Sequence, residues 1–170
     1  MAVSEIIARR KSIRTYRPDV EISDAQIRSL LEAAMLAPSA CGMRPWEFIV
    51  VRDRAKLDAI REVHPFTGML KTATAAIIVV ANNDIKNDIS GDYIPQDCAA
   101  ATENILLQAV AEGLGTCWCG VFPKAEHVAG FSRLFGLEGN RVAFNVIALG
   151  VPAEEEGSRG FYEEGKVRWE

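Results

Sequence analysis

Near the N-terminus, Arg9, Arg10, Lys11 and Arg14 place four cations within six residues, around Ser12 and Ile13. Like charges this close repel and need either solvent or an anion between them. Two readings stand side by side: a solvated basic surface, or a phosphate clamp in which arginine donates in a planar fork and the Ser12 hydroxyl adds a donor. A second stretch, Ala37-Pro-Ser-Ala-Cys-Gly-Met-Arg-Pro-Trp46, is a loop of small residues closed by two prolines. Its small side chains and Gly42 let a flat ligand approach the backbone closely, although the composition suits a plain structural turn equally well. A third is Cys117-x-Cys119, one residue short of the C-x-x-C spacing of redox and zinc sites, with only His64 and His127 to add imidazole ligands. On a strand both thiols point to one face, where a bridge between them is strained, so buried free thiols are the simpler reading. No residue marks itself as an obligatory catalytic acid or base, and no metal is assigned.

The elements that must position these residues are organised around residues 95–115, PQDCAAATENILLQAVAEGLG. At about 100° per residue this segment is a helix with a broad apolar arc that includes Ile105, Leu106, Ala109 and Val110, and a polar stripe of Asp97, Asn104, Gln108 and Glu112. A helix apolar nearly all round is buried in a domain or against another subunit. Glu103 falls inside the arc and must find partners there or stay protonated; where the helix packs against another subunit, a polar or basic partner is expected at that interface. Gln96 and Asp97 start the helix, Asp97 being well placed to cap its first turn or to reach a site.

The remaining pattern alternates helices and strands. A short helix spans 3–12, and Ser23 with Gln26 forms a capping box for a helix to about residue 37, with Ile27, Leu30, Leu31, Ala34 and Met35 facing the core. Strands are expected at 47–51, 75–81, 116–122 and 142–149, and helices at 54–63 and 124–135; residues 75–81 suit a strand buried on both faces. Residues 82–94 read as a short loop. The last twenty residues, with Glu154, Glu155 and Glu156, have too little apolar surface to fold alone.

The chain has 170 residues, 49% hydrophobic and 25% charged, with a formal net charge of -4. That length fits one domain over residues 1–170, and the acidic balance argues against a nucleic-acid partner. Charges lie where a signal peptide needs an apolar core, and no apolar run approaches the roughly 18 residues of a membrane span, so a cytoplasmic protein without membrane partners is expected.

Taken together, Arg10-Lys-Ser-Ile-Arg14, the 37–46 loop, Gly113-Leu-Gly-Thr-Cys-Trp-Cys-Gly120 and Ala148-Leu-Gly-Val-Pro152 resemble the FMN-dependent nitroreductase family, along with the basic pair Lys166 and Arg168. The resemblance implies an α+β sandwich whose central mixed sheet is flanked by helices, assembled as a homodimer. The long helix would lie at the dimer core, and the 151–170 tail would dock on the partner subunit. FMN would sit at the interface. Arg10, Lys11 and Ser12 would hold its phosphate and ribityl end, with Lys166 and Arg168 completing the phosphate site. Arg14 would approach the pyrimidine edge of the flavin. Pro38, Ser39, Ala40 and Gly42 of the other subunit would line the ring, opposite Trp118, Cys119 and Gly120. Two departures from the family pattern stand out: Gly42 where many members have Asn, and Arg44 where Gln is common. The implied activity is NAD(P)H-dependent reduction of nitroaromatic, quinone or related acceptors by a ping-pong mechanism. The alternatives are a specialised family reaction (dehalogenation, enone reduction or flavin fragmentation) and a non-catalytic flavin-binding redox sensor.

Overall fold

A computed structural model describes residues 4–154 and 160–170. Helix α1 is Glu5–Arg9, and α2 is Asp24–Met35, started by the expected capping box between Ser23 and Gln26. Strand β1 is Trp46–Val51, and α3 is Arg54–Val63, capped by the Asp53 carboxylate on the Lys56 amide. Strand β2 is Ala75–Asn82, α4 is Ile94–Ala111 and β3 is Gly115–Gly120. Helix α5 is Ala125–Phe135 and β4 is Arg141–Gly150. Val3 at the expected start of the first helix, and Glu155 and Glu156 of the tail, lie outside the described residues.

The strands form one sheet in the order β1-β2-β4-β3, antiparallel throughout. The sheet is therefore antiparallel rather than mixed as expected; a parallel pairing occurs as an isolated bridge from Ser12 to Thr116, outside the strands on the outer edge of β3. Every residue of β2 is buried. Its alternation sends Ala75, Ile77, Val79 and Ala81 into a core with α2 and α4, and Ala76, Ile78 and Val80 into a second core with α3 and α5. Helices therefore cover both faces of the sheet, an α+β sandwich. Among the described residues, no helix is long and apolar enough to cross a membrane.

Helix α4 is turned differently from its sequence pattern. The polar stripe faces α2, not water: Asn104 donates to the Ala33 carbonyl at 2.9 Å, and Gln108 donates to Ser29 Oγ at 2.9 Å. Ser29 in turn donates to Glu112 at 2.8 Å. Satisfied in this way, polar groups can be buried between helices. Ala99, Ala100, Glu103, Leu107 and Val110, on the expected apolar arc, are only half-buried. Met35, expected in the core, is exposed at the end of α2.

Candidate functional site

The extended arm at 10–17 lies along the outer edge of β3 because two glycines leave room for it. The Ile13 amide donates to the Thr116 carbonyl at 2.8 Å, and a Cβ on Gly115 would stand 2.9 Å from the Ile13 side chain. Tyr16 packs over Gly150, where a Cβ would meet its ring at 2.8 Å, and its hydroxyl donates to the Ile13 carbonyl at 2.6 Å. Burial pushes the Tyr16 phenol upward, so it remains a donor. Arg14 is anchored by its backbone amide, which donates to Glu154 Oε1 at 2.7 Å; the Thr15 amide reaches the same oxygen at 3.4 Å. These amides, Arg14's first, hold the Glu154 carboxyl below the usual carboxylate range.

So held, Arg14 lines a cleft of about 690 Å³ together with Cys117, Trp118, Cys119 and Gly120. The Thr116 carbonyl faces outward to the arm, and the Gly120 carbonyl faces outward to His64. Antiparallel alternation leaves the backbone of Trp118, midway between them, facing the same open side. Cys117 and Cys119 project into the α3/α5 core, and both are free thiols, as is buried Cys98; Cys41 is exposed. The Cys117 thiol is held down to about 7, chiefly by its interaction with Cys119, with Arg14 and Ser12 assisting against burial. The same pairing holds Cys119 up, since the second proton leaves beside an existing charge.

Of the opposite wall of this cleft, the sequence pointed to His64 alone, as a possible imidazole partner of the Cys117-x-Cys119 pair. The wall comes from the α3–β2 connection: His64, Phe66, Met69 and Lys71. His64 is almost wholly buried, and its ring stacks on His127 of α5 at 4.2 Å. Its Nε2 lies 2.8 Å from the Gly120 carbonyl, and its Nδ1 accepts from the Phe66 amide at 3.2 Å. A carbonyl only accepts, so Nε2 carries the proton.

Pro38, Ser39 and Ala40 line a different cleft, of about 550 Å³, with Tyr93, Gln96 and Asp97. The loop is sharply wound: Cys41, Gly42 and Arg44 have φ of 52°, 66° and 56°. Gly42 suits such a position, whereas Arg44 is held there by its amide donating to Ser39 Oγ at 2.9 Å and its guanidinium donating to the Met35 carbonyl. Arg44 thus closes the end of α2. Asp97 does not cap α4. The helix starts at Ile94, one turn earlier than a cap at Asp97 requires, and Asp97 Oδ1 instead accepts from the Ala40 amide at 2.9 Å. It ties the loop to α4.

The other expected site residues are dispersed within this chain. Arg10 Nε is 3.6 Å from Glu103 Oε1, so the carboxylate expected to need an interface partner has a cation of its own chain. Burial raises the Glu103 pKa, with Arg10 opposing. Lys11 and Ser12 are half-buried on the arm, Ser12 pairing with Thr116. Lys166 pairs with Glu163 at 2.6 Å and Arg168 with Glu170 at 2.6 Å, both on a tail exposed from residue 160 onward. One chain therefore brings together Arg14, Trp118, Cys119 and Gly120, and separately Pro38, Ser39 and Ala40.

Comparison with known proteins agrees with this architecture. The family model described as "Nitroreductase family" matches residues 7–64 and 63–151. A protein of Methanothermobacter thermautotrophicus, provisionally named NADH dehydrogenase/NAD(P)H nitroreductase, is 44% identical over 170 residues, covering 100% of this chain and 87% of that one. A provisionally named NADH oxidase from Clostridium acetobutylicum superimposes with a TM-score of 0.92 at 38% identity, covering 96% of this chain and 98% of its own. A nitroreductase from Desulfovibrio desulfuricans, so named provisionally and crystallised in complex with FMN, gives 0.81 at 30% identity, covering 98% and 94%. With most of its length matched by the family model and the fold shared across these relatives, the chain belongs to the nitroreductase family.

Proposed function

We propose that this protein is an FMN-dependent oxidoreductase that takes reducing equivalents from NADH or NADPH and passes them to nitroaromatic, quinone or related acceptors in alternate half-reactions. The observation that carries the reading is the juxtaposition of Arg14 with the open backbone edge of Trp118 in one cleft. A flavin needs a donor along its ring edge, a cation near its pyrimidine, and close approach of small residues. Trp118, Arg14 and the 38–42 loop supply these three properties. When bound, FMN supplies the two-electron chemistry itself.

The chain's own residues bind and orient. Arg14, its backbone amide held by Glu154, would place positive charge near the pyrimidine edge, where reduced flavin carries negative charge. The β3 edge offers the Trp118 amide as a donor, and His64 holds the end of that edge in place. Arg10, Lys11 and Ser12, with Lys166 and Arg168, are the groups we assign to the phosphate end, since a phosphate of nearly two negative charges matches several cations. Arg10 would exchange or share its contact with Glu103. The walls contributed by Phe66, Met69 and Trp118 would shield a bound flavin from water.

The two clefts also favour a homodimer with a single-domain subunit. Arg14 and Ser39 line different clefts of one chain, so a flavin touching both sets of residues would need two chains. The half-buried face of α4 and the exposed Phe161, Tyr162 and Trp169 of the tail are apolar surfaces such a dimer would cover. A visible spectrum of the purified protein, before and after anaerobic NAD(P)H and then an acceptor, tests the reading. Flavin absorbance that bleaches and returns is expected. Protein that stays colourless after FMN addition and does not quench flavin fluorescence overturns it.

A further inference from the structure

A third cavity, of about 340 Å³, opens between the end of the sheet and the start of α4, and it shares no lining residue with the Arg14 or Ser39 clefts. Ala81, Ile94, Pro95, Phe122, Val142 and Phe144 give it apolar walls, with Asn83 and Asp92 as its polar side chains. A β-bulge builds one wall. Val79 pairs with Asn145 and Val80 with Ala143, so Phe144 is an extra residue in β4. Ala143 and Val146 face the α3/α5 core, yet Phe144 and Asn145 both turn to the α4 side, where Asn145 donates to Thr102 Oγ1 at 2.8 Å. The Phe144 carbonyl accepts from the amides of Val121 and Phe122 at 3.1 and 3.0 Å. That fixes the Phe122 ring over Phe144, with centroids 6.3 Å and planes 27° apart. Phe144 in turn meets Trp118 at 6.1 Å, so a short row of rings joins this cavity to the Arg14 cleft.

The polar lining accepts rather than donates. A helix start ordinarily offers free amides, but the Ile94 amide donates to the Gly91 carbonyl and Pro95 has no N–H. The Asn83 NH2 group donates to the Asn140 carbonyl at 2.8 Å, and Asp92, exposed at the mouth, is acceptor-only when ionised. We propose that this cavity binds a flat aromatic of two fused rings that carries an N–H or O–H donor and no negative charge. An apolar cavity of about 150 Å³ holds one benzene ring, so the volume here suits a bicyclic body. The Phe122–Phe144 pair presents the offset-stacking surface that aromatic ligands favour. The ligand's donor meets Asp92, and the same carboxylate repels an anion.

The test is calorimetric titration of the full chain with indole, which is bicyclic, neutral and donates through its N–H. Benzofuran, of the same shape without the donor, and indoleacetate, which keeps the donor but adds an anion, are the comparisons. One indole per chain is expected, with both comparison ligands at least about 10-fold weaker. Asp92→Ala should abolish the preference for indole over benzofuran, and Phe122→Ala should weaken both by about 10-fold. Both residues are exposed, so neither change empties the core. Phe66→Ala, in the wall of the Arg14 cleft, should leave indole affinity unchanged. Absence of indole binding, equal affinity for indole and benzofuran, unchanged affinity in Phe122→Ala, or lost affinity in Phe66→Ala would each overturn the proposal. The site does not rest on the flavin reading, and repeating the titration after FMN addition keeps the two apart. Affinity in this cavity should not depend on FMN; indole that binds only the FMN-loaded protein would be stacked on the flavin, and the proposal would fall.

Discussion

His64 joins the two walls of the Arg14 cleft through the Gly120 carbonyl: its Nε2–H donates across 2.8 Å to the end of β3, while its other nitrogen accepts from Phe66. His64→Leu removes both partners at once and leaves two backbone groups unpaired, at about 1–3 kcal/mol each. The variant should show a lowered denaturation midpoint and weaker FMN binding, whereas His64→Gln, which can still donate, should recover part of both. Urea unfolding and flavin-fluorescence titration check it, and a His64→Leu protein with wild-type FMN affinity would separate His64 from the site.

How much of this was legible in the sequence differs between elements and contacts. Helix α3 runs over the residues its periodicity marks, 54–63, and the capping box at Ser23 starts α2 as expected. Local patterning decides such elements. The turn of α4 about its axis is not legible in its pattern, because the partners of Asn104, Gln108 and Glu112, namely Ser29 and Ala33, come from α2. Phe66 and Met69 gave no signal, and His64 showed only as a possible imidazole ligand, for a similar reason: Cys119 reaches the Phe66 carbonyl and Met69 across about fifty residues of chain, a proximity that only tertiary packing creates. Small residues did mark the 38–42 loop, but Asp97's bond to Ala40 joins groups 57 residues apart and left no local trace.

The arm that carries Arg14 depends on Gly115 and Gly150. Adding a methyl at either forces contacts of 2.9 Å with Ile13 or 2.8 Å with Tyr16. Overpacking of this kind costs about 1–3 kcal/mol, so Gly115→Ala and Gly150→Ala should lower the urea midpoint and loosen flavin binding together. Gly68→Ala, with nothing within 4 Å of the added carbon, should stay within about 0.5 kcal/mol of wild type.

Glu154 makes the anchoring of Arg14 depend on acid. Its carboxyl is held below the ordinary value of 4.5 by the Arg14 amide, then the Thr15 amide. A depressed folded-state pKa contributes stability that is present above the unfolded value and lost as pH falls through the folded value. Glu154→Gln should therefore be less stable than wild type at neutral pH, with the difference shrinking below about pH 4. Unfolding midpoints of both proteins across that range measure it; a difference that does not change with pH would show that the amides do not depend on the charge.

Arg14 itself should set the redox potential more than the affinity. In the proposed complex its guanidinium faces the pyrimidine edge, where reduction adds negative charge, so it favours the reduced state. Removing a nearby positive charge from a partly desolvated site changes that balance by at least about 1.4 kcal/mol, which for a two-electron couple is about 30 mV. Arg14→Met should lower the flavin midpoint potential by that much or more and slow reduction by NAD(P)H. Arg14→Lys, which keeps the charge but not the planar fork, should fall between. Dye-equilibrated spectrophotometric titration of the flavin-loaded proteins gives the potentials directly. If Arg14→Met binds FMN and its potential matches wild type, the arm does not bring Arg14 to the ring, and its charge serves the phosphate end instead.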